Sequence, residues 1–143
     1  MSYPTVHFVS CVSKKRAVPS PARELYQSPW FRKARAYVEA QGGPWFILSA
    51  EHGLLRPEQV VGPYERTLNR MGVAARRAWA ARVLEQWDGW GIGPVHAVFL
   101  AGVRYREFLV PGVVARGGTV EVPMEGLGIG RQLAWLGAPT ELA

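Results

Sequence analysis

The sequence predicts an α/β fold in which helices cover both faces of a parallel β-sheet. Short apolar segments alternate four times with segments of helical periodicity. This alternation is typical of strand–helix–strand units joined by right-handed crossovers. A chain of 143 residues is long enough for one hydrophobic core and short for two. We therefore expect residues 1–143 to form a single domain.

Four segments are predicted to be strands. The first is TVHFVS, from Thr5 to Ser10, which is short and rich in β-branched residues. The others are PWFILSA (44–50), VHAVFLA (95–101) and GTVEVPM (118–124). The third contains the continuous apolar run AVFLA (97–101), which is typical of a strand that is buried on both faces of a sheet.

Helical segments are predicted between and after these strands. Ser20 and Ser28 each precede a proline, the usual arrangement at the N-cap and first position of a helix. Trp79, Val83 and Trp87 recur at helical spacing. The predicted helices are 21–27 (a turn or two), 29–41 (ended by Gly42-Gly43), 73–87, 104–109 and 130–136.

The charge balance favours a polyanionic partner, and nucleic acid above all. The chain has 17 Lys and Arg residues against 11 Asp and Glu, a net charge of +6, and a pI near 10.0. The alternative is an arginine-rich composition without functional meaning, since only three of the basic residues are lysines.

Several classes of protein are disfavoured. No apolar run approaches the roughly 18–20 residues of a membrane span, and the N-terminus lacks the apolar core of a signal peptide. The lone Cys11 cannot form an internal disulfide, so a reducing cytoplasm is expected. His7, His52 and His96 lack ligand spacing, and we expect neither a metal nor another cofactor.

Polar or small residues follow each predicted strand. In open α/β sheets, ligands bind outside the carboxyl ends of the strands, so these residues are candidates for a binding site. They are Ser10, Cys11, Ser13 and Lys15 at and after the end of the first strand, Ser49 at the end of the second, Gly102 and Tyr105 after the third, and Gly128 after the fourth.

The chemistry available at these positions has alternative interpretations. Glu51 and His52 could act as general acid and base, or they could belong to a capped strand exit. Lys14, next to Lys15, could contact an anion or lie in a solvated loop. Cys11 could be a nucleophile or a small buried hydrophobe, and Tyr105 could stack on a base or pack in the core.

A cluster of arginines lies between the second and third predicted strands. If GPYERTLNR is helical, Arg66 and Arg70 share one face of it, and Arg76 and Arg77 open the next helix. Such a set could follow a phosphate backbone, or it could be an ordinary solvated surface. The predicted nucleic-acid-binding residues are Arg56, Arg66, Arg70, Arg76, Arg77 and Arg131.

Four blocks carry a resemblance to known proteins: SCVSKK (10–15), LSAEHGLLRPEQVVGPYERTL (48–68), LAGVRYREFL (100–109) and PMEGLGIGRQLAWL (123–136). Together they resemble an uncharacterised family of small bacterial and phage proteins, over nearly the whole chain. The central block is also similar to the peroxide-stress proteins of the YaaA type. More distantly, the chain resembles the uracil-DNA glycosylase-like group.

The resemblance implies a three-layer α/β/α sandwich around a four-stranded parallel sheet in the order 2-1-3-4. It also implies nucleic acid as the partner, DNA more than RNA, and a base-sized pocket at the strand ends, where Tyr64 or Tyr105 would stack on the base. The expected activity is cleavage or modification of an N-glycosidic linkage, in genome maintenance, DNA repair or phage conflict. The alternative is a non-catalytic DNA-, RNA- or nucleoside-binding module, as in stress proteins of the YaaA type.

The loop after the first strand determines which residues could be catalytic. Uracil-DNA glycosylases place an acidic or amide residue there, whereas this loop holds no Asp, Glu or Asn. The acid would therefore be Glu51 or Glu65, with His52 or Lys14 stabilising the departing base.

Overall fold

The computed structural model describes residues 3–137, which contain seven strands in two sheets. In chain order the strands are β1 (Thr5–Ser10), β2 (Ser20–Pro21), β3 (Trp45–Ser49), β4 (Gly53–Leu55), β5 (Val60–Val61), β6 (His96–Leu100) and β7 (Thr119–Glu121). The larger sheet has five strands in the order β4-β3-β1-β6-β7. The smaller sheet pairs β2 with β5.

The helices of residues 3–137 are α1 (Ala22–Leu25), α2 (Pro29–Gln41), α3 (Val73–Gly89), α4 (Val103–Arg106), α5 (Val110–Ala115) and α6 (Ile129–Gly137). A single 3₁₀ turn covers Leu68–Arg70. None of the described helices is both long and apolar enough to span a membrane.

The four predicted strands are confirmed as the parallel part of the sheet. β1 has the predicted bounds, and β3, β6 and β7 lie within the other three predicted segments. Val9 of β1 pairs in parallel with Ile47 of β3 and with Leu100 of β6. The four strands take the order second, first, third, fourth.

The sheet has one strand more than predicted. After Ser49 the chain reverses through residues 50–52 and returns as β4, which pairs antiparallel with β3 through Ile47 and Leu55. Gly53 adopts a φ of +74°, the left-handed region that glycine occupies without penalty. Three residues are too few to show a strand periodicity, so the sequence favoured a simple turn here.

The start of α2 is as predicted, whereas the start of α1 is not. Ser28 Oγ accepts a hydrogen bond from the Phe31 amide at 3.0 Å, and α2 ends at Gly42 with a φ of +82°. Ser20, in contrast, lies in β2 and donates its hydroxyl to the Val18 carbonyl. The predicted helix 21–27 therefore shortens to α1. The predicted helix 104–109 likewise shortens to α4, which ends at Arg106, and α5 begins just beyond the predicted range.

Helices contact both faces of the five-stranded sheet. Phe8 of β1 stacks on Trp87 of α3, with ring centroids 5.0 Å apart. Its neighbour His7 meets Tyr37 of α2 edge-on at 6.1 Å. Because consecutive residues of a strand point to opposite faces, α3 and α2 lie on opposite faces of the sheet. Phe99 of β6 continues the aromatic layer around Phe8 at 5.3 Å.

Candidate functional site

A cleft of about 900 Å³ opens at the carboxyl ends of β1 and β6. Residues 10–13 form one wall where β1 ends, and Gly102 lies where β6 ends. The loop from Pro63 to Arg70 forms the opposite side. The cleft therefore occupies the position at which open α/β sheets bind ligands.

The cleft brings together half of the predicted site residues. These are Ser10, Cys11, Ser13, Lys15, Tyr64, Arg66, Arg70, Gly102 and Tyr105. The segment GPYERTLNR (62–70) is not helical along its length. Within it, only Leu68–Arg70 form a 3₁₀ turn. Arg16, Thr67 and Asn69 also line the cleft and were not predicted, although each lies next to or near a predicted residue.

Tyr64 is fixed by a chain of hydroxyl groups. Its hydroxyl accepts a hydrogen bond from Ser49 Oγ at 2.8 Å and lies 2.6 Å from the hydroxyl of Tyr26. Ser49 Oγ in turn accepts from the amides of Glu51 and His52. Burial raises the pKa of the Tyr64 and Tyr26 hydroxyls above the usual range, so both stay neutral and remain hydrogen-bond donors.

Lys15 places a cation against this pair of tyrosines. Its Nζ lies 4.3 Å from the ring centroid of Tyr64 and 5.7 Å from that of Tyr26, within the range of cation–π attraction. It also donates to the Ser13 carbonyl at 3.2 Å. Burial lowers the pKa of the Lys15 amine, which is the effect expected when an ammonium group loses water. Lys15 is thus a partly dehydrated cation facing the cleft.

Tyr105 anchors the far wall of the cleft. Its hydroxyl accepts a hydrogen bond from the Leu68 amide at 3.3 Å and lies 3.5 Å from Cys11 Sγ. Its ring is buried and meets Trp79 edge-on at 5.7 Å. Burial also raises the pKa of the Tyr105 hydroxyl. The residue offers a neutral hydroxyl to the cleft, while its ring serves the packing.

Glu51 and His52 lie at the rim, behind Tyr64. The Glu51 carboxylate is 3.4 Å from Arg66 Nε, and the His52 ring meets the Tyr64 ring edge-on at 5.5 Å. Neither side chain is among those that line the cleft. Their position follows from the β3–β4 hairpin, which turns the chain away from the cleft after Ser49.

Cations dominate the described lining of the cleft. Lys15, Arg16, Arg66 and Arg70 contribute four positive charges, and Glu65 is the carboxylate that opposes them. The cleft is therefore suited to an anionic ligand that also presents groups for hydrogen bonding.

Comparison with known protein families shows which family this chain belongs to. A family described as a family of unknown function, DUF6884, matches residues 6–138. The chain belongs to the DUF6884 family. This match confirms the expectation that the chain belongs to an uncharacterised bacterial family.

A curated relative of this DUF6884 protein is the uncharacterized protein YfjM of Bacillus subtilis (strain 168). The two are 33% identical over 96 residues, which cover 65% of the chain and 62% of YfjM. The chain thus spans less than two thirds of the relative that it matches. No solved structure matches the chain significantly.

Four of the arginines predicted to bind nucleic acid lie outside the cleft of this DUF6884 protein. Arg56 stacks over Trp90 at 4.2 Å, and Arg77 lies over Phe108 at 4.3 Å. Arg76 forms an ion pair with Glu107 at 2.9 Å and donates to the Met71 carbonyl, and Arg131 is exposed on α6. The sequence could not distinguish these arginines from Arg66 and Arg70, because the charge of a residue does not tell where it lies in the folded protein.

Three further predicted residues are also absent from the cleft lining. Lys14 is exposed, and its carbonyl accepts from the Gln27 amide. Gly128 precedes α6 and does not reach the cleft, and Ser49 is fully buried behind Tyr64. Among residues 3–137 no group of three His, Cys, Asp or Glu side chains is placed to hold a metal ion.

Proposed function

We propose that this DUF6884 protein binds nucleic acid, DNA in preference to RNA, and that the cleft takes one unpaired nucleotide. The observation that carries the proposal is Lys15, held over the ring of Tyr64 at 4.3 Å in a cleft with three further cations. The preference for DNA rests on the resemblance to uracil-DNA glycosylases.

A nucleotide offers the chemistry that this cleft complements. Its phosphate would meet the cations Lys15, Arg66 and Arg70, which supply charge-assisted hydrogen bonds. Its base would meet the neutral hydroxyls of Ser10 and Tyr105, which lie deeper in the cleft. A base reaches such a pocket only from a single strand or after leaving the duplex stack.

The fold is consistent with this proposal. Four parallel strands in the order second, first, third, fourth, with α2 and α3 on opposite faces, support the three-layer sandwich of the uracil-DNA glycosylase-like group. The relation to the peroxide-stress proteins of the YaaA type is part of the same proposal, and rests on the block from Leu48 to Tyr64.

Excision or modification of the base is a second candidate function. It is favoured by Glu51, whose carboxylate lies 3.4 Å from Arg66, a residue of the cleft lining. Glu65 is a further carboxylate at the cleft. A carboxylate so placed could orient water or stabilise a ribosyl cation during cleavage of the N-glycosidic bond.

Two adjacent lysines provide a matched test of binding. Lys15→Gln and Lys14→Gln remove the same charge, but only Lys15 lines the cleft. Binding of a single-stranded oligodeoxythymidine of about eight nucleotides is measured by fluorescence anisotropy. Loss of a charged hydrogen bond is worth about 1.5–3 kcal/mol, so Lys15→Gln should weaken binding roughly 10- to 100-fold. Lys14→Gln should change it by less than roughly three-fold, as expected for a screened surface charge.

The possible results separate the functions. Equal effects of the two substitutions, or no binding by the wild-type chain, would refute the cleft as a nucleotide site. Incubation with DNA carrying damaged or hypermodified bases then tests the chemical step. Base release by the wild-type chain and none by Glu51→Gln would support excision, whereas binding without release by either protein would leave the non-catalytic module.

A further inference from the structure

A second, strongly basic groove lies beside the cleft. It has a volume of about 590 Å³ and contains four arginines, Arg16, Arg23, Arg32 and Arg35. Glu24 is the carboxylate among its lining residues. None of these arginines was singled out in the sequence, because they come from three separate segments: the loop after β1, helix α1 and helix α2.

The backbone fixes how these segments meet. Lys15 and Tyr26 form an isolated antiparallel bridge, and the Arg16 amide donates to the Leu25 carbonyl at 2.8 Å. The loop after β1 is therefore tied to the end of α1. On α2, Arg32 and Arg35 are three residues apart and share a face, and Ala36 beside them leaves room for a ligand.

The arginines of the groove are held only by exposed or neutral partners. Arg16 and Arg23 share Glu24, at 3.6 and 3.8 Å, and Arg35 pairs with Glu39 at 3.0 Å. Arg32 donates to the neutral amide oxygen of Gln27 at 2.7 Å. Exposed pairs of this kind contribute little to stability, so a phosphate can replace these carboxylates at little cost.

The groove and the cleft are adjacent. Arg16 lines both of them. Tyr26 lines the groove, and its hydroxyl lies 2.6 Å from that of Tyr64, which lines the cleft. A chain that left the cleft on the side of Arg16 would meet the groove next.

We propose that this groove binds the phosphate backbone of the single strand whose unpaired nucleotide occupies the cleft. The inference rests on the proposed function and adds to it the path of the flanking strand. Arginine guanidinium groups suit the task, because their fork of donors matches phosphate oxygens. An acidic peptide would also satisfy the charge, but adjacency to a nucleotide-sized cleft through the shared Arg16 favours nucleic acid.

The test compares two neighbouring positions of α2. Arg32→Gln removes a charge from the groove, and Lys33→Gln removes one from the same helix outside the groove. Arg23→Gln, on α1, is a second groove variant. Each is titrated with thymidine 5′-monophosphate and with the oligodeoxythymidine of about eight nucleotides, at several salt concentrations.

Each groove substitution is expected to weaken oligonucleotide binding roughly 3- to 10-fold. The slope of log affinity against log salt should become shallower by about 0.7, the value for one lost contact to a single strand. Binding of the mononucleotide should not change, which also shows that the variants are folded. Lys33→Gln should leave both the oligonucleotide affinity and the slope as in the wild-type chain.

The outcomes distinguish this inference from the proposal beneath it. If Arg32→Gln and Arg23→Gln keep the wild-type salt slope, the groove does not bind the strand. If, in addition, Lys15→Gln weakens oligonucleotide binding, the proposal that the cleft binds a nucleotide still stands. If the wild-type chain binds neither probe, both proposals fall. Tight binding of poly-glutamate that the oligonucleotide does not displace would overturn the groove as a nucleic-acid track and indicate an acidic peptide.

Discussion

Replacing Gly53 with alanine should destabilise the β3–β4 hairpin, which lies behind the cleft. Gly53 opens β4 with a φ of +74°, and a Cβ atom there would collide with the side-chain carbonyl of Gln86. That side chain fixes the hairpin, because its Oε1 accepts from the Leu54 amide at 2.8 Å and its Nε2 donates to the His52 carbonyl at 3.0 Å. We therefore predict that Gly53→Ala displaces Gln86 and loosens the hairpin.

The expected loss of unfolding free energy in Gly53→Ala has two parts. Alanine in the left-handed region costs about 1–2 kcal/mol. Displacing Gln86 removes two hydrogen bonds, each worth about 0.5–1.5 kcal/mol net. Gly53→Ala should thus lower the free energy of unfolding by about 2–5 kcal/mol. Gly42→Ala is the matched control, since Gly42 has a φ of +82° and nothing within 4 Å of the added Cβ. It should cost only about 1–2 kcal/mol.

Urea unfolding followed by the fluorescence of the six tryptophans measures these differences. With a slope of about 1–3 kcal/mol per molar urea, a loss of about 3 kcal/mol moves the midpoint by about 1–3 M. The same substitution in a Gln86→Ala background should cost only the backbone share, about 1–2 kcal/mol. The reasoning is refuted if Gly53→Ala costs no more than Gly42→Ala, or if the Gln86→Ala background leaves its cost unchanged.

Two further predictions concern buried polar groups. A double-mutant cycle of Ser49→Ala and Tyr64→Phe should give a coupling of about 0.5–1.5 kcal/mol in unfolding free energy, from their 2.8 Å hydrogen bond; strictly additive losses would contradict it. Burial, only partly offset by Glu121, lowers the pKa of His7, so the native state binds fewer protons than the unfolded chain and stability falls as the pH drops through about 6.5. His7→Phe should flatten this pH dependence; equal slopes in the wild-type chain and His7→Phe would exclude His7 as the source.

The parallel strands could be predicted from the sequence because the residues within each segment are enough to indicate a strand. β1 was predicted to the residue, and the end of α2 at Gly42 follows from a single glycine. What the sequence could not show depends on contacts between distant segments. Ser20 has the pattern of an N-cap, but β2 is set by its pairing with Val61 of β5. Likewise β4 is a strand only because β3 lies beside it.

The candidate site was predictable to the same degree and for the same reason. The rule that ligands bind at the carboxyl ends of parallel strands gave the cleft residues after β1 and β6. It failed after β3, because the chain turns back into β4 and carries Ser49 behind Tyr64. Tyr26 was also missed, since its position after α1 is typical of a packed aromatic and its hydroxyl contact to Tyr64 spans 38 residues.

Arg66 links the two candidate functions of the cleft through one guanidinium group. It lines the cleft and at the same time holds the Glu51 carboxylate at 3.4 Å, in a pair in which both side chains are well exposed. Such a pair is worth about 0–1 kcal/mol, less than the charge-assisted bonds that a phosphate forms with arginine. A bound phosphate would therefore draw Arg66 away from Glu51 and leave the carboxylate free at the rim. Under the proposed function, phosphate binding would therefore be coupled to the release of the Glu51 carboxylate through Arg66.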